Sequence, residues 1–153
     1  MMKLCVSMLS LAVLFGCAPA IVVIEPISRT SRIAIVQFAD CTEILATDCG
    51  GSGKIASDAY SGVFGAPILA TENDPSAKSF DLLILGKVLN YNNGIPLVGR
   101  YNYAQIDFAV KRISDGKIVA TQQLRKDTYP GLGKSTPEIV RWMAEDLRTK
   151  LGI

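Results

Sequence analysis

An α/β (α+β) domain, with a mixed sheet of about five strands and two main helices packed on it, is the fold the sequence predicts. Three observations carry it. Two runs, RIAIVQFA (32–39) and DLLILGKVLNY (81–91), are apolar nearly throughout and rich in branched residues, as strands covered on both faces are. One segment, 104–110, places Ala104, Ile106, Phe108 and Val110 on one side and Gln105, Asp107 and Ala109 on the other. Two stretches, from Ser52 and from Ser135, repeat apolar residues at helical spacing. The expected order is β-α-β-β-β-β-α.

Each element has its own signal. Residues 18–31 hold Pro19 and Pro26 and read as mostly irregular, with an edge strand available at 21–24. Strand 32–39 follows, then a loop over 40–51. Ser52 is placed to cap a helix whose apolar face is Ile55, Ala56, Ala59, Tyr60, Val63 and Phe64, and Gly65 ends it. Residues 67–70 make a short strand, and TENDPS (71–76) is turn chemistry. After strand 81–91, Asn92-Asn93-Gly94 and Pro96 break the chain.

The next hairpin fixes its own register. A two-residue Asp115-Gly116 turn would set Phe108 against Gln123. A three-residue Ser114-Asp115-Gly116 loop with Gly116 left-handed sets Ile106 against Leu124 and Val110 against Ala120. The second arrangement gathers the apolar set on one face and is the expected one. The last helix opens with Ser135-Thr136-Pro137-Glu138, a capping box with a proline in the first turn. Ile139, Met143, Leu147 and Leu151 form its stripe and Gly152 its stop. Trp142 sits at the edge of that stripe, where core packing competes with ligand stacking in favour of packing.

Composition narrows the chemistry. The chain has 153 residues, the size of one domain, and a formal charge of +2 with no Lys/Arg cluster, which points away from nucleic acid. It has no histidine, so the commonest general base and zinc ligand are absent, as is every Ser–His or Cys–His pair. Nothing calls for a cofactor or metal.

The segment CGGSGKI (49–55) joins a strand to a helix and invites comparison with a phosphate-binding loop. That motif needs Gly-x4-Gly-Lys-Ser/Thr, because backbone N–H groups cradle the phosphates and a hydroxyl binds magnesium. Aligned on Gly53-Lys54, Asp48 stands for the first glycine and Ile55 for the hydroxyl, so the motif fails. A weak anion site at the helix N-terminus is what remains of it. No carboxylate pair is marked for acid–base work, and an enzyme is not expected. Tyr91, Tyr101 and Tyr103 flank an Asn-rich loop and are a candidate interaction surface; the other reading makes them rim residues of the sheet.

The amino terminus, MMKLCVSMLSLAVLFGCAPA, has Lys3 ahead of an apolar run of about a dozen residues, too short to span a bilayer and suited to a signal peptide. Leu14-Phe15-Gly16-Cys17 at its end resembles the lipobox of bacterial lipoproteins, by which Cys17 becomes the acylated first residue of the mature chain. Ala18-Pro19-Ala20 is also an A-x-A cleavage site that would release a soluble product. On the lipoprotein reading, 1–16 is the signal peptide, 17–31 a lipidated tether and 32–153 a single periplasmic domain. Ala18 lacks the aspartate of an inner-membrane retention signal, which favours the outer membrane. In that oxidising compartment Cys41 and Cys49 read as a disulfide, the alternative being two reduced thiols.

The phrases RIAIVQF, GSGKIASDAYSGVFG, DLLILGKVLNY and IDFAVKRISDGKIVATQQL, with the capped last helix, resemble a group of outer-membrane lipoproteins. These carry the domain shared by the curli secretion channel and the amino-terminal domain of the Tol-system propeller protein. The chain is most similar to small lipoproteins of that group with a Gly-Ser-Gly helix start. The resemblance implies a non-catalytic domain working through envelope-protein contacts. Relatives form rings for secretion or exopolysaccharide export, activate cell-wall synthases or support flagellar structures. A transmembrane strand needs about 9–11 residues, and 92–100 cannot hold two, so a pore is not expected. The reading is therefore an outer-membrane accessory or scaffold subunit, a homo-oligomer among its options; the alternative is a small-ligand or glycan-binding lipoprotein.

Overall fold

The computed structural model describes residues 21–42, 49–94, 102–128 and 134–153. Its elements are β1 (Val22–Val23), β2 (Ile33–Val36), α1 (Ser52–Phe64), β3 (Ile68–Leu69), a 3-10 turn (Pro75–Ser79), β4 (Leu82–Asn92), β5 (Asn102–Arg112), β6 (Ile118–Thr128) and α2 (Thr136–Leu151). The six strands form one sheet in the order β1-β6-β5-β4-β2-β3. It is mixed: β2 runs parallel to β3 and β4, and the remaining pairs are antiparallel. The sixth strand is β1, the edge available in the tether.

Both helices lie on one face. Alternation along β4 and β5 turns Ile84, Val88, Ile106, Phe108 and Val110 toward them, where they meet Tyr60 of α1 and Ile139, Met143 and Leu147 of α2. On the other face a small cluster, Ala34, Leu69, Leu83 and Ala77, is roofed by the 3-10 turn and Phe80. The rest of that face carries Gln105, Asp107, Lys87 and Thr121, so the sheet reads apolar on one side and polar on the other, as one covered on a single face does.

The β5–β6 register is the expected one: Ile106 faces Leu124 and Val110 faces Ala120. The connection that sets it is different. Arg112 N–H donates to the Lys117 carbonyl at 2.8 Å, closing a loop of four residues, and Gly116 N–H donates to the Arg112 carbonyl at 2.9 Å. Lys111 then faces Ile118, leaving Val119 as the extra residue of a bulge. A longer loop and a bulge cancel, so the strand bodies pair as a three-residue loop would pair them. Gly116 is left-handed (φ 71°) as expected.

Helix α2 begins with the expected capping box. Glu138 Oε2 accepts from Ser135 N–H at 2.7 Å, and the Ser135 side chain accepts from the third helical N–H. Thr136, fully buried, donates its hydroxyl to the Asn92 carbonyl at 2.6 Å and fixes the helix to the end of β4. At the other end Arg148 donates to the Val63 carbonyl at 2.8 Å, tying the last turn of α1 to α2. Trp142 is 43% exposed, so the core-packing expectation for it is corrected: it stands off the buried stripe.

Candidate functional site

The junction of β2 and α1, where the glycine-rich segment lies, is built by the protein's own groups. Gly51 is left-handed (φ 81°) and the helix starts at Ser52. Asp40, in the loop just past the bridge of Ala39 with Lys87, accepts from Gly53 N–H at 2.6 Å and from Gly51 N–H at 3.1 Å. Its carboxylate thus occupies the place an external anion would take at this helix N-terminus. Ser52 does not cap by its side chain, which corrects that expectation. Its buried hydroxyl instead accepts from Cys41 N–H at 3.2 Å. Ser57, also buried, accepts from Phe38 N–H at 2.8 Å and donates to the Gly53 carbonyl at 2.9 Å. Only glycine fits at 53, since a Cβ there would overlap the Phe38 carbonyl. Cys41 and Cys49 form a disulfide, with Cα atoms 5.1 Å apart. Lys54, the lysine of the apparent motif, turns outward to Asp58. Ile55, expected on the apolar face, is 36% exposed, while Ser57 and Gly53 take the side of the helix that touches residues 38–40.

Tyr91 and Tyr103 do not share a surface. A bulge at Leu89, between Val88 and Asn90, reverses the alternation of β4 and turns Tyr91 toward the helices opposite Ala104. Tyr91 is 1% exposed and belongs to the core. Tyr103 pairs with Asn92 and Asp127 on the opposite face, half-buried. Tyr101 and Cys17 lie outside the described residues. The grouping of Tyr91 with Tyr103 as one interaction surface is therefore corrected by the geometry of the bulge.

What the structure does bring together lies at the β1 edge and at the hairpin end of the sheet. β1 pairs with β6 through Val22–Thr121 and Val23–Ala120, and Ile24 N–H donates to the Val119 carbonyl at 2.8 Å. The bulge at Val119 supplies that carbonyl. Arg112 clamps the segment: it binds Asp115 through two nitrogens, at 3.0 and 2.7 Å, and Glu25 at 2.7 Å. The guanidinium holds the Asp115 carboxyl down at about 2, and its own pKa is driven up by the two carboxylates. Beside it a groove of about 460 Å³ runs between the 26–32 segment and the hairpin, with Arg32, Lys78, Asp81 and Arg112 on its walls. Asp81 accepts from Arg32 N–H at 2.8 Å, which lowers its pKa.

Two further facts bear on chemistry. Among the described residues no group of three or more Cys, Asp or Glu is placed to hold a metal ion, and no helix is long and apolar enough to cross a membrane. The Tyr60 hydroxyl is fully buried and has no hydrogen-bond partner among the described residues; burial, and then Asp146, push its pKa far above the usual phenol range.

No protein-family model matches the sequence, and no curated protein is similar to it in sequence. Solved structures are similar in fold. A PelC dodecamer from Paraburkholderia phytofirmans superposes with a TM-score of 0.68 at 13% identity, over 87% of this chain and 95% of that one. A variant of that dodecamer in another crystal form gives 0.63 at 15% identity, over 87% and 97%. A Xanthomonas campestris protein of the DUF330 family gives 0.57 at 9% identity, over 80% and 85%. At these identities the likeness establishes the fold.

Proposed function

We propose that this chain is a non-enzymatic, lipid-anchored subunit of a bacterial envelope assembly and works as a scaffold within a homo-oligomer. The observation that carries this reading is the agreement of fold, over 87% of the chain, with a protein crystallised as a dodecamer. Three features support it. The lipobox-like Leu14-Phe15-Gly16-Cys17 provides an anchor, and Ala18 after it fits the outer membrane, facing the periplasm. The chain has no histidine. The one helix terminus resembling a nucleotide loop is filled by Asp40. The glycan-binding alternative loses support, since Tyr91 is in the core.

The test is the protein mass of the detergent-extracted, acylated chain by light scattering, corrected for bound detergent. A discrete closed oligomer is expected. A clean monomer would overturn the scaffold reading and leave a tethered single-copy binder. Cys17→Ser should move the protein from the membrane to the soluble fraction; unchanged fractionation would remove the anchor from the reading.

A further inference from the structure

We propose that the exposed apolar edge formed by β1 and the start of β6 rests on the phospholipid surface, with its backbone at headgroup level. The inference rests on the anchoring of Cys17 and extends it from a tether to a docking face. Val22 is 54% exposed, Val23 41%, Ile24 55% and Ile118 38%. They line one edge of the sheet: Ile24 bonds to the carbonyl next to Ile118, and Val22 and Val23, turned to opposite faces, pair with the residues just beyond it. Exposed aliphatic side chains gathered along one edge mark an interaction site. Sheet edges open to water usually carry charges that discourage pairing, and β1 carries none.

Chain length selects the occupant. Ile21 is four residues from Cys17, and four residues span at most about 14 Å. Acyl chains on Cys17 therefore hold Ile21 within that distance of the bilayer, and Val22 to Ile24 follow directly. Charge agrees. Lys117, next to Ile118, is exposed. The nearby carboxylates, Glu25 and Asp115, are engaged by Arg112. An exposed cation beside aliphatic side chains suits an anionic phospholipid interface. The outer N–H and C=O groups of an edge strand cannot enter hydrocarbon, where nothing would pair them, so the side chains dip while the strand stays among headgroups and water.

The test uses the acylated, full mature chain with an environment-sensitive fluorophore on Ile24→Cys; Cys41 and Cys49 are bonded to each other and do not react. A label on Lys54→Cys, at the opposite end of the sheet, is the control. The protein is reconstituted in phosphatidylethanolamine–phosphatidylglycerol vesicles with and without bromine-bearing acyl chains, and acylation of Cys17 is read separately by peptide mass. Blue-shifted emission at position 24 that brominated lipid quenches, with none at 54, is the expected result. Water-like emission at 24 on an acylated protein overturns the docking face while leaving the anchor intact. Shielded but unquenched emission also overturns it, and assigns the edge to a second copy of the chain. An unmodified Cys17 overturns the anchor and the docking face together.

Discussion

Asp40 shows why a familiar-looking motif need not carry the familiar chemistry. A glycine-rich turn into a helix exposes N–H groups that an anion can satisfy, and here the anion is a side chain from the loop that follows β2. Asp40→Ala leaves those donors without their carboxylate. It should lower stability by about 1–2 kcal/mol, in the upper range of lost helix caps, read by denaturant unfolding. Tyr60 makes the opposite case. Its ring packs among Phe38, Phe64 and Phe108, and its buried hydroxyl has no hydrogen-bond partner among the described residues. A buried polar group without a partner destabilises, so Tyr60→Phe should be neutral or stabilising by up to about 1 kcal/mol. A loss of stability in that variant would mean that the hydroxyl is satisfied by bound water. Neither Asp40 nor Ser57 was legible in the sequence as a capping or bridging group. Asp40 acts 11–13 residues away through tertiary contact, and Ser57 reads as an ordinary polar position on a helix.

At the scale of elements the sequence was legible where a face had to be buried. The alternation over 104–110 set the β5–β6 register, because a slip of one residue would expose Ile106, Phe108 and Val110. The turn was not legible, since a four-residue loop with a bulge produces the same pairing as a three-residue loop. The bulge at Leu89 was equally hidden. It leaves composition unchanged yet moves Tyr91 from a rim to the core. The disulfide belongs to this scale too. Cys41 and Cys49 are eight positions apart, a loop whose closure stabilises by about 2–3 kcal/mol on the chain-entropy model. Reduction, or the double change Cys41→Ser and Cys49→Ser, should lower unfolding stability by that amount. It should loosen the start of α1 first, because Cys41 N–H bonds to Ser52; amide exchange at 52–56 is the measurement.

For the whole molecule, the shifted carboxylates share one direction. Asp115 is lowered to about 2 by Arg112, and Asp81, Glu138 and Asp74 are lowered by hydrogen bonds from Arg32, Ser135 and Ser76. In each case the folded state holds the proton less tightly than the unfolded chain does. Each contribution is present above the group's ordinary carboxylate value and is lost as pH falls below it; for Asp115 that loss runs from 3.8 down to about 2. All four sites face water, so each effect is small and weakened by salt. Thermal unfolding should therefore be insensitive to these groups between neutral pH and about pH 5, and its midpoint should fall below about pH 4. Arg112→Gln should make that fall shallower; an equally steep fall would remove the clamp from the account.

The pairing of β1 with the sheet also decides how the molecule answers to force. An anchor at Cys17 would pull on β1, which is held at the edge by two residue pairs with β6 and by the Glu25–Arg112 ion pair. Edge contacts loaded from one end open in sequence rather than together. Peeling the 22–32 segment away would leave β2 to β6 and both helices in place, and would lengthen the leash by roughly 35 Å at the span of an extended chain. Single-molecule pulling from residue 17 should show that low-force extension ahead of the main rupture, and a single event would exclude it. A neighbour shifting in a crowded envelope would then meet give in the leash before strain reached the folded body.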